Sequence, residues 1–209
     1  MNSNDKKRII ERYNKRLEDH GFSIDSLASG NEERRNERFK ILAEIGIQSG
    51  DTILDLGCGF GDLQKYLLKN DIKVKYIGID INEEIIKIAK KENSVLDVRV
   101  LDILNENFNE PVDYIVSTSS FNNKLNEESN YDFVDKLLKK CYSIAKKGVA
   151  IDFLSSYVDY RVDDDVFYYE PEQLFSRAKK ITKRVCIRHD YKLFEFCLYM
   201  YPDFEGWKK

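Results

Sequence analysis

Thr52-Ile-Leu-Asp-Leu-Gly-Cys-Gly-Phe-Gly-Asp62 is the stretch around which the rest of the chain is read. Thr52 to Leu56 is a short apolar run with β-branched residues, the pattern of a buried strand. Gly57, Gly59 and Gly61 follow at every second position, and Leu63, Tyr66, Leu67 and Leu68 then recur at helical spacing. Strand, glycine-rich turn and helix make the first half of a nucleotide-binding βαβ unit. Glycines belong where the backbone turns sharply and lies against a ligand with no Cβ in the way. The spacing narrows the ligand. A dinucleotide fingerprint G-x-G-x-x-G would place its third glycine at Asp62, and no G-K-[ST] follows to cradle phosphates.

The string Asp55-x-Gly57-x-Gly59-x-Gly61 resembles the first motif of the class I S-adenosylmethionine-dependent methyltransferases, and the resemblance runs from about Gly50 to Tyr201. It implies an α/β, Rossmann-like fold: a seven-stranded mixed sheet with an antiparallel C-terminal hairpin, helices on both faces and a helical N-terminal cap. It implies S-adenosyl-L-methionine as cofactor, S-adenosyl-L-homocysteine as product, and a cofactor loop made of Asp55, Gly57, Cys58, Gly59 and Gly61.

Downstream residues extend the match. Val74 to Asp80 reads as the second strand, and a carboxylate at its end can accept both ribose hydroxyl hydrogens. The alternative for Asp80 is a helix cap, but Asn82 is better placed to cap Glu83 to Glu92. Val95 to Leu101 is expected as the third strand, and its Asp97 and Arg99 suit a sheet edge. The family usually has an acidic residue after it that accepts from the adenine amino group. Asp102 and Ile103 fit that description, with Ile81 covering the other ring face. Pro111 to Ser117 is the fourth strand; Ser117 falls to the cofactor, and Phe121 and Asn122 to the acceptor. The Asn/Asp-Pro-Pro-aromatic motif of adenine-N6 and glutamine-N5 methyltransferases is missing here, which counts against that route to amino-group methylation.

N-terminal to the motif, residues 4–20 read as an amphipathic helix with Ile9, Ile10, Tyr13 and Leu17 on one face and Ser3, Asn4 or Asp5 as cap. Either it packs on the main domain or it is a lid over the cofactor, as in similar small methyltransferases; Tyr13 then faces substrate. A second helix, about Glu32 to Ile45, carries Arg34, Arg35 and Arg38. The methionyl carboxylate of the cofactor needs a cation, and Arg38 is the best placed of the three; the other reading is a surface arginine. The expected division is a helical cap at 1–47 and a cofactor-binding domain at 48–209.

C-terminal to it, Tyr131 to Lys147 reads as a helix stopped by Gly148, and Val149 to Leu154 as the fifth strand. The long loop to Glu170 holds Tyr157 and Tyr160, which either line an acceptor pocket or cover the sheet end. Ile181 to Arg188 and Lys192 to Tyr201 form the closing hairpin. If the first of these runs parallel to the central strands, His189 sits on the ligand face, where it is a candidate general base; the alternative is a hairpin residue with no chemistry.

Bulk properties fit an ordinary cytosolic enzyme. The 209 residues carry 34 Lys and Arg against 37 Asp and Glu, a net charge of −3, so no general basic field for nucleic acid exists. No apolar run is long enough for a membrane span. Four cysteines without C-x-x-C spacing read as reduced thiols, and two histidines give no support for a metal. The expected activity is methyl transfer to an O or N atom of a small polar metabolite or sugar-type intermediate. Two alternatives stay open: methylation of RNA or protein, and a non-catalytic S-adenosylmethionine-binding partner subunit.

Overall fold

The computed structural model describes residues 1–159, 161 and 165–203. Tyr160 therefore lies outside the described residues. The chain begins with α1 (Ser3–His20), passes a short 3₁₀ turn at Asp25–Leu27, and continues into α2 (Glu32–Ala43). Alternation follows: β1 (Thr52–Leu56), α3 (Asp62–Lys69), β2 (Lys75–Asp80), α4 (Glu83–Glu92), β3 (Val98–Val100), β4 (Val112–Ser117), α5 (Asn130–Ile144), β5 (Ala145–Leu154) and α6 (Pro171–Ala178). Two strands close it, β6 (Arg184–Arg188) and β7 (Glu195–Tyr201).

The strands form one seven-stranded sheet in the order β3-β2-β1-β4-β5-β7-β6. β1 pairs in parallel with β2 and β4, while β7 runs antiparallel between β5 and β6. This is the mixed sheet and antiparallel closing pair expected from the motif. The central strands are near-continuous apolar runs because both faces are covered. Leu54, Leu56, Ile77 and Ile115 pack with α5 and α6 on one side; Ile53, Tyr76 and Val116 pack with α2, α3 and α4 on the other. The strand order reverses between β1 and β4, the switch point at which open α/β sheets bind ligands beyond their carboxyl ends.

Three local expectations change. The cap of α1 is Asn2, whose side chain accepts from Asn4 N; Asp5 is buried and accepts instead from Asn126 N (2.9 Å) and Glu127 N (3.0 Å). α5 ends at Ile144 and β5 starts at once, so Gly148 is a strand residue and not a helix stop. Its lack of a side chain has a packing cause: a Cβ there would lie 2.9 Å from Ile45 Cδ1 and 3.1 Å from Met200 O. β3 is only three residues long and lies at the sheet edge, which leaves Val100 half exposed.

Candidate functional site

The carboxyl ends of β1, β2 and β4 open into a cavity whose walls come from α1, α2, the glycine turn and the segment after β4. Its floor is the glycine turn. Gly57 has φ 68° and Gly59 has φ 55°, a conformation that disfavours side chains. A Cβ on Gly57 would come within 2.1 Å of Ser120 Oγ, so the turn is closed tightly against the segment leaving β4. Cys58 lies buried in the same turn and lines the cavity, while Gly61 starts α3.

Four carboxylates line this space, of which Asp62 is held by Arg35 and Lys65. Asp55 is 2% exposed; its Oδ2 accepts the Tyr76 hydroxyl at 2.6 Å, and its Oδ1 has no partner. Burial pushes its carboxyl up to about 7, against the Tyr76 bond and with the help of Asp80 and Asp62. Asp80 accepts Asn82 N at 2.9 Å and Gly59 N at 3.2 Å, and burial raises it as well. Asp102 differs. Burial pushes it up, but Asn105, the Leu104 N–H and Lys6 outweigh that and leave it below the usual carboxylate range. The Lys6 ammonium reaches it from α1 at 3.3 Å. Ile81 and Ile103 line the wall beside these residues.

α1 roofs the cavity. Ile9, Ile10 and Tyr13 line it, and the helix is fastened at both ends, by Asp5 near its start and by Asn14, which accepts from Asn82 Nδ2 at 2.8 Å. The Tyr13 hydroxyl bonds to Asn123, and burial raises its pKa. Phe121 also lines the cavity and packs on Phe133 at 5.9 Å.

Several predicted residues are placed elsewhere. Ser117 is fully buried and donates to Leu56 O at 2.7 Å, tying β4 to β1 below the cavity floor. Asn122 also turns away, its Oδ1 accepting Leu154 N at 2.9 Å; the neighbouring Asn123 lines the cavity instead. β6 does run parallel to the central strands, so His189 lies on the ligand face of the sheet, yet it is outside the cavity wall. It packs against Phe196 and Tyr157 with ring centroids 5.8 and 6.2 Å away. Tyr157 is itself 63% exposed and donates to Glu172. Arg38 does line the cavity, but Glu195 holds its guanidinium fork with two bonds of 2.6 Å. Arg35 lines it too, paired with Asp62 at 2.7 Å, with its Nε buried and unpartnered. The sequence marked Arg35 only as one of three arginines, and helical phase was the signal available for choosing it.

The site thus offers a tight glycine turn, an orphan buried acceptor on Asp55, an orphan donor on Arg35 and a carboxylate at the end of β2. Those groups fit a ligand that joins a nucleoside to an amino acid, which is the form of S-adenosylmethionine. Fold and site together define a class I S-adenosylmethionine-dependent methyltransferase.

Comparison with known proteins agrees. The profile of a family described as a methyltransferase domain matches residues 47–189. The Mycobacterium tuberculosis protein Rv1506c, named as a methyltransferase, is 30% identical over 157 residues, covering 70% of this chain and 90% of that one. The cyclopropane-fatty-acyl-phospholipid synthase of Escherichia coli K12 is 31% identical over 111 residues, but the match spans only 29% of its length. Among solved structures, the magnesium protoporphyrin IX methyltransferase ChlM of Synechocystis PCC 6803, with S-adenosylhomocysteine bound, superposes with a TM-score of 0.63 at 12% identity, covering 93% of this chain and 94% of that one. The chain belongs to the methyltransferase-domain family, and it is an S-adenosylmethionine-dependent enzyme. Among the described residues no helix is long and apolar enough to cross a membrane, and no cluster of His, Cys, Asp and Glu could hold a metal ion.

Proposed function

We propose that this enzyme methylates an O or N atom of a small polar metabolite or sugar-type intermediate. The observation that carries the reading is the roof. Residues from the chain's own α1 close the space above the glycine turn, and that helix is tied by Asp5 to the 126–127 turn and by Asn14 to Asn82. A small acceptor can be enclosed there, whereas a large polymer would need an open groove. The relatives do not decide the matter, since their names span porphyrin and lipid substrates.

In this reading Asp80 takes the ribose hydroxyls, and Asp102 with Ile103 and Ile81 takes the adenine. Asp55 Oδ1 is the acceptor for the methionyl ammonium. Arg35 takes the carboxylate, since the fork of Arg38 is closed on Glu195. The bound cofactor supplies a methyl group on a sulfonium, whose departure as a neutral thioether needs no acid. The protein's part is alignment and exclusion of water, which α1, Tyr13 and Phe121 provide at the acceptor end. The 1–47 segment acts in this scheme as cap and lid.

Two measurements test it. Calorimetric titration should show S-adenosylhomocysteine binding and no NADH binding. Incubation with S-adenosylmethionine and a panel of hydroxylated and amine metabolites should release S-adenosylhomocysteine with a mass increase of one methyl on the acceptor. Turnover with RNA or protein alone, and none with the small-molecule panel, would reject the reading.

A further inference from the structure

We propose that Thr118 and Asp152 form a two-residue path that takes the proton from the methyl acceptor. Thr118 is the hydroxyl that meets the acceptor; Asp152, acting through it, is where the proton comes to rest. The inference rests on the O- or N-acceptor reading above.

The geometry is that of a carboxylate stationed one side chain behind the cavity wall. Thr118 follows the last residue of β4 and lines the cavity. Its hydroxyl donates to Asp152 Oδ2, and the Ser119 N–H donates to Asp152 Oδ1 at 2.6 Å. Ser119 has φ 57°, a left-handed conformation rare for a residue with a side chain, and the carboxylate holds it there. Asp152 itself is 2% exposed near the end of β5.

The charges around it explain why a proton can stop there. Facing Asp152 are Glu195 and Cys197 from β7, Arg38 from α2 and Tyr191 from the loop after β6, and the buried carboxyl of Asp55 from β1 also feels its charge. Arg38 is the cation of this group, and its fork is spent on Glu195. Two buried carboxylates against one guanidinium leave a net negative charge in a region with little solvent, which is costly. Burial first, then Glu195, raises the Asp152 carboxyl, and Arg38 and the two hydrogen bonds only partly oppose them. The carboxylates that line the cavity, Asp55, Asp62, Asp80 and Asp102, lie where the cofactor is read, and His189 lies outside the wall.

The step balances. The proton of an acceptor hydroxyl, or the extra proton of an acceptor ammonium, passes to Thr118 Oγ1 as the hydroxyl's own proton passes to Asp152 Oδ2. The electron pair left on the acceptor forms the bond to the methyl carbon, and the carbon–sulfur pair stays on sulfur. Asp152 ends as the neutral acid and gives its proton to water when the products leave.

The test uses the whole protein with S-adenosylhomocysteine bound. Carboxyl NMR of protein labelled with ¹³C-aspartate should show a signal titrating well above the ordinary aspartate range that vanishes in Asp152→Asn and persists in Asp55→Asn. With any O or N acceptor that the wild type methylates, Thr118→Val and Asp152→Asn should each lower turnover by about 10²–10⁴-fold with unchanged S-adenosylhomocysteine affinity. Thr118→Ser should restore most of it. The wild-type rate should rise with pH through the titration of Asp152, and Asp152→Asn should lose that limb. Full turnover in Thr118→Val, retention of the limb in Asp152→Asn, or an Asp152 signal in the ordinary range overturns the proposal while leaving the methyltransferase reading in place. Should Asp152→Asn fail to fold, the Thr118 variants and the wild-type rate–pH profile still decide: a wild-type rate with no limb overturns the proposal. Wild-type protein that binds S-adenosylhomocysteine and methylates no O or N acceptor removes the underlying reading, and the proposal with it.

Discussion

Asp55 is pulled in two directions. It is buried with one oxygen unpartnered, which disfavours its charge, yet that oxygen is the one read as the partner of a cofactor ammonium. Its folded-state value of about 7 lies above the ordinary value of 3.8, so the folded state holds a proton that the unfolded chain releases. Its contribution to stability is complete below about pH 4 and is lost as pH rises through about 7. Asp55→Asn should therefore raise the melting temperature of the ligand-free protein relative to wild type, with a difference that grows from pH 5 to pH 8 in thermal scans. The same variant should bind S-adenosylhomocysteine more weakly. Asp80→Ala removes an acceptor read as serving two ribose hydroxyls, each bond worth about 1.5–3 kcal/mol, and calorimetry should show affinity falling by at least about 100-fold. Unchanged affinity would move the ribose elsewhere. The residues that were legible from the sequence have neighbours that are close in the chain or fixed by the strand–turn–helix geometry: Gly57, Gly59, Asp80, Asp102. Those that were not have partners far away in the chain. Ser117 answers to Leu56, and Arg38 to Glu195, and no local pattern announces either pairing.

At the scale of elements, α1 shows how much a pattern can say and where it stops. Its apolar face was plain from Ile9, Ile10, Tyr13 and Leu17, and the helix spans Ser3–His20 as the periodicity required. What it covers depended on Asp5, which looks like an ordinary first-turn acid but is 1% exposed and grips two backbone N–H groups of the 126–127 turn. Asp5→Ala removes two hydrogen bonds to a charged acceptor and should cost about 1–3 kcal/mol. Hydrogen exchange should show the loss concentrated in residues 3–20, with turnover reduced. Uniform exchange across the protein would mean that α1 is not a separately closing unit. The end of α5 was misjudged because Gly148 suits a helix stop and a crowded strand equally well in sequence; only its contacts with Ile45 and Met200 distinguish them.

For the molecule as a whole, the Arg38–Glu195 pair joins the N-terminal helices to the closing strand. Arg38→Ala leaves Asp152 and Glu195 facing each other without a cation and should cost about 3–5 kcal/mol in urea unfolding. Glu195→Ala should cost less, because Asp152 remains as a partner for Arg38. The Arg38→Ala loss should shrink on going from pH 8 to pH 6, where Asp152, already raised by burial and relieved of the Arg38 charge, takes up a proton. Equal losses at both pH values would show that the pair acts through packing alone.

The position of β7 has a consequence for biosynthesis. It is the last of the seven strands in the chain, yet it lies inside the sheet between β5 and β6. Until residues 195–201 have left the ribosome, β5 displays an unpaired edge where β7 belongs, and 184–188 have no neighbouring strand to pair with. Such edges recruit strands from other chains. A chain held at that stage is open to chaperones and proteases, and the pairing of Glu195–Tyr201 with β5 is the event that closes the edge.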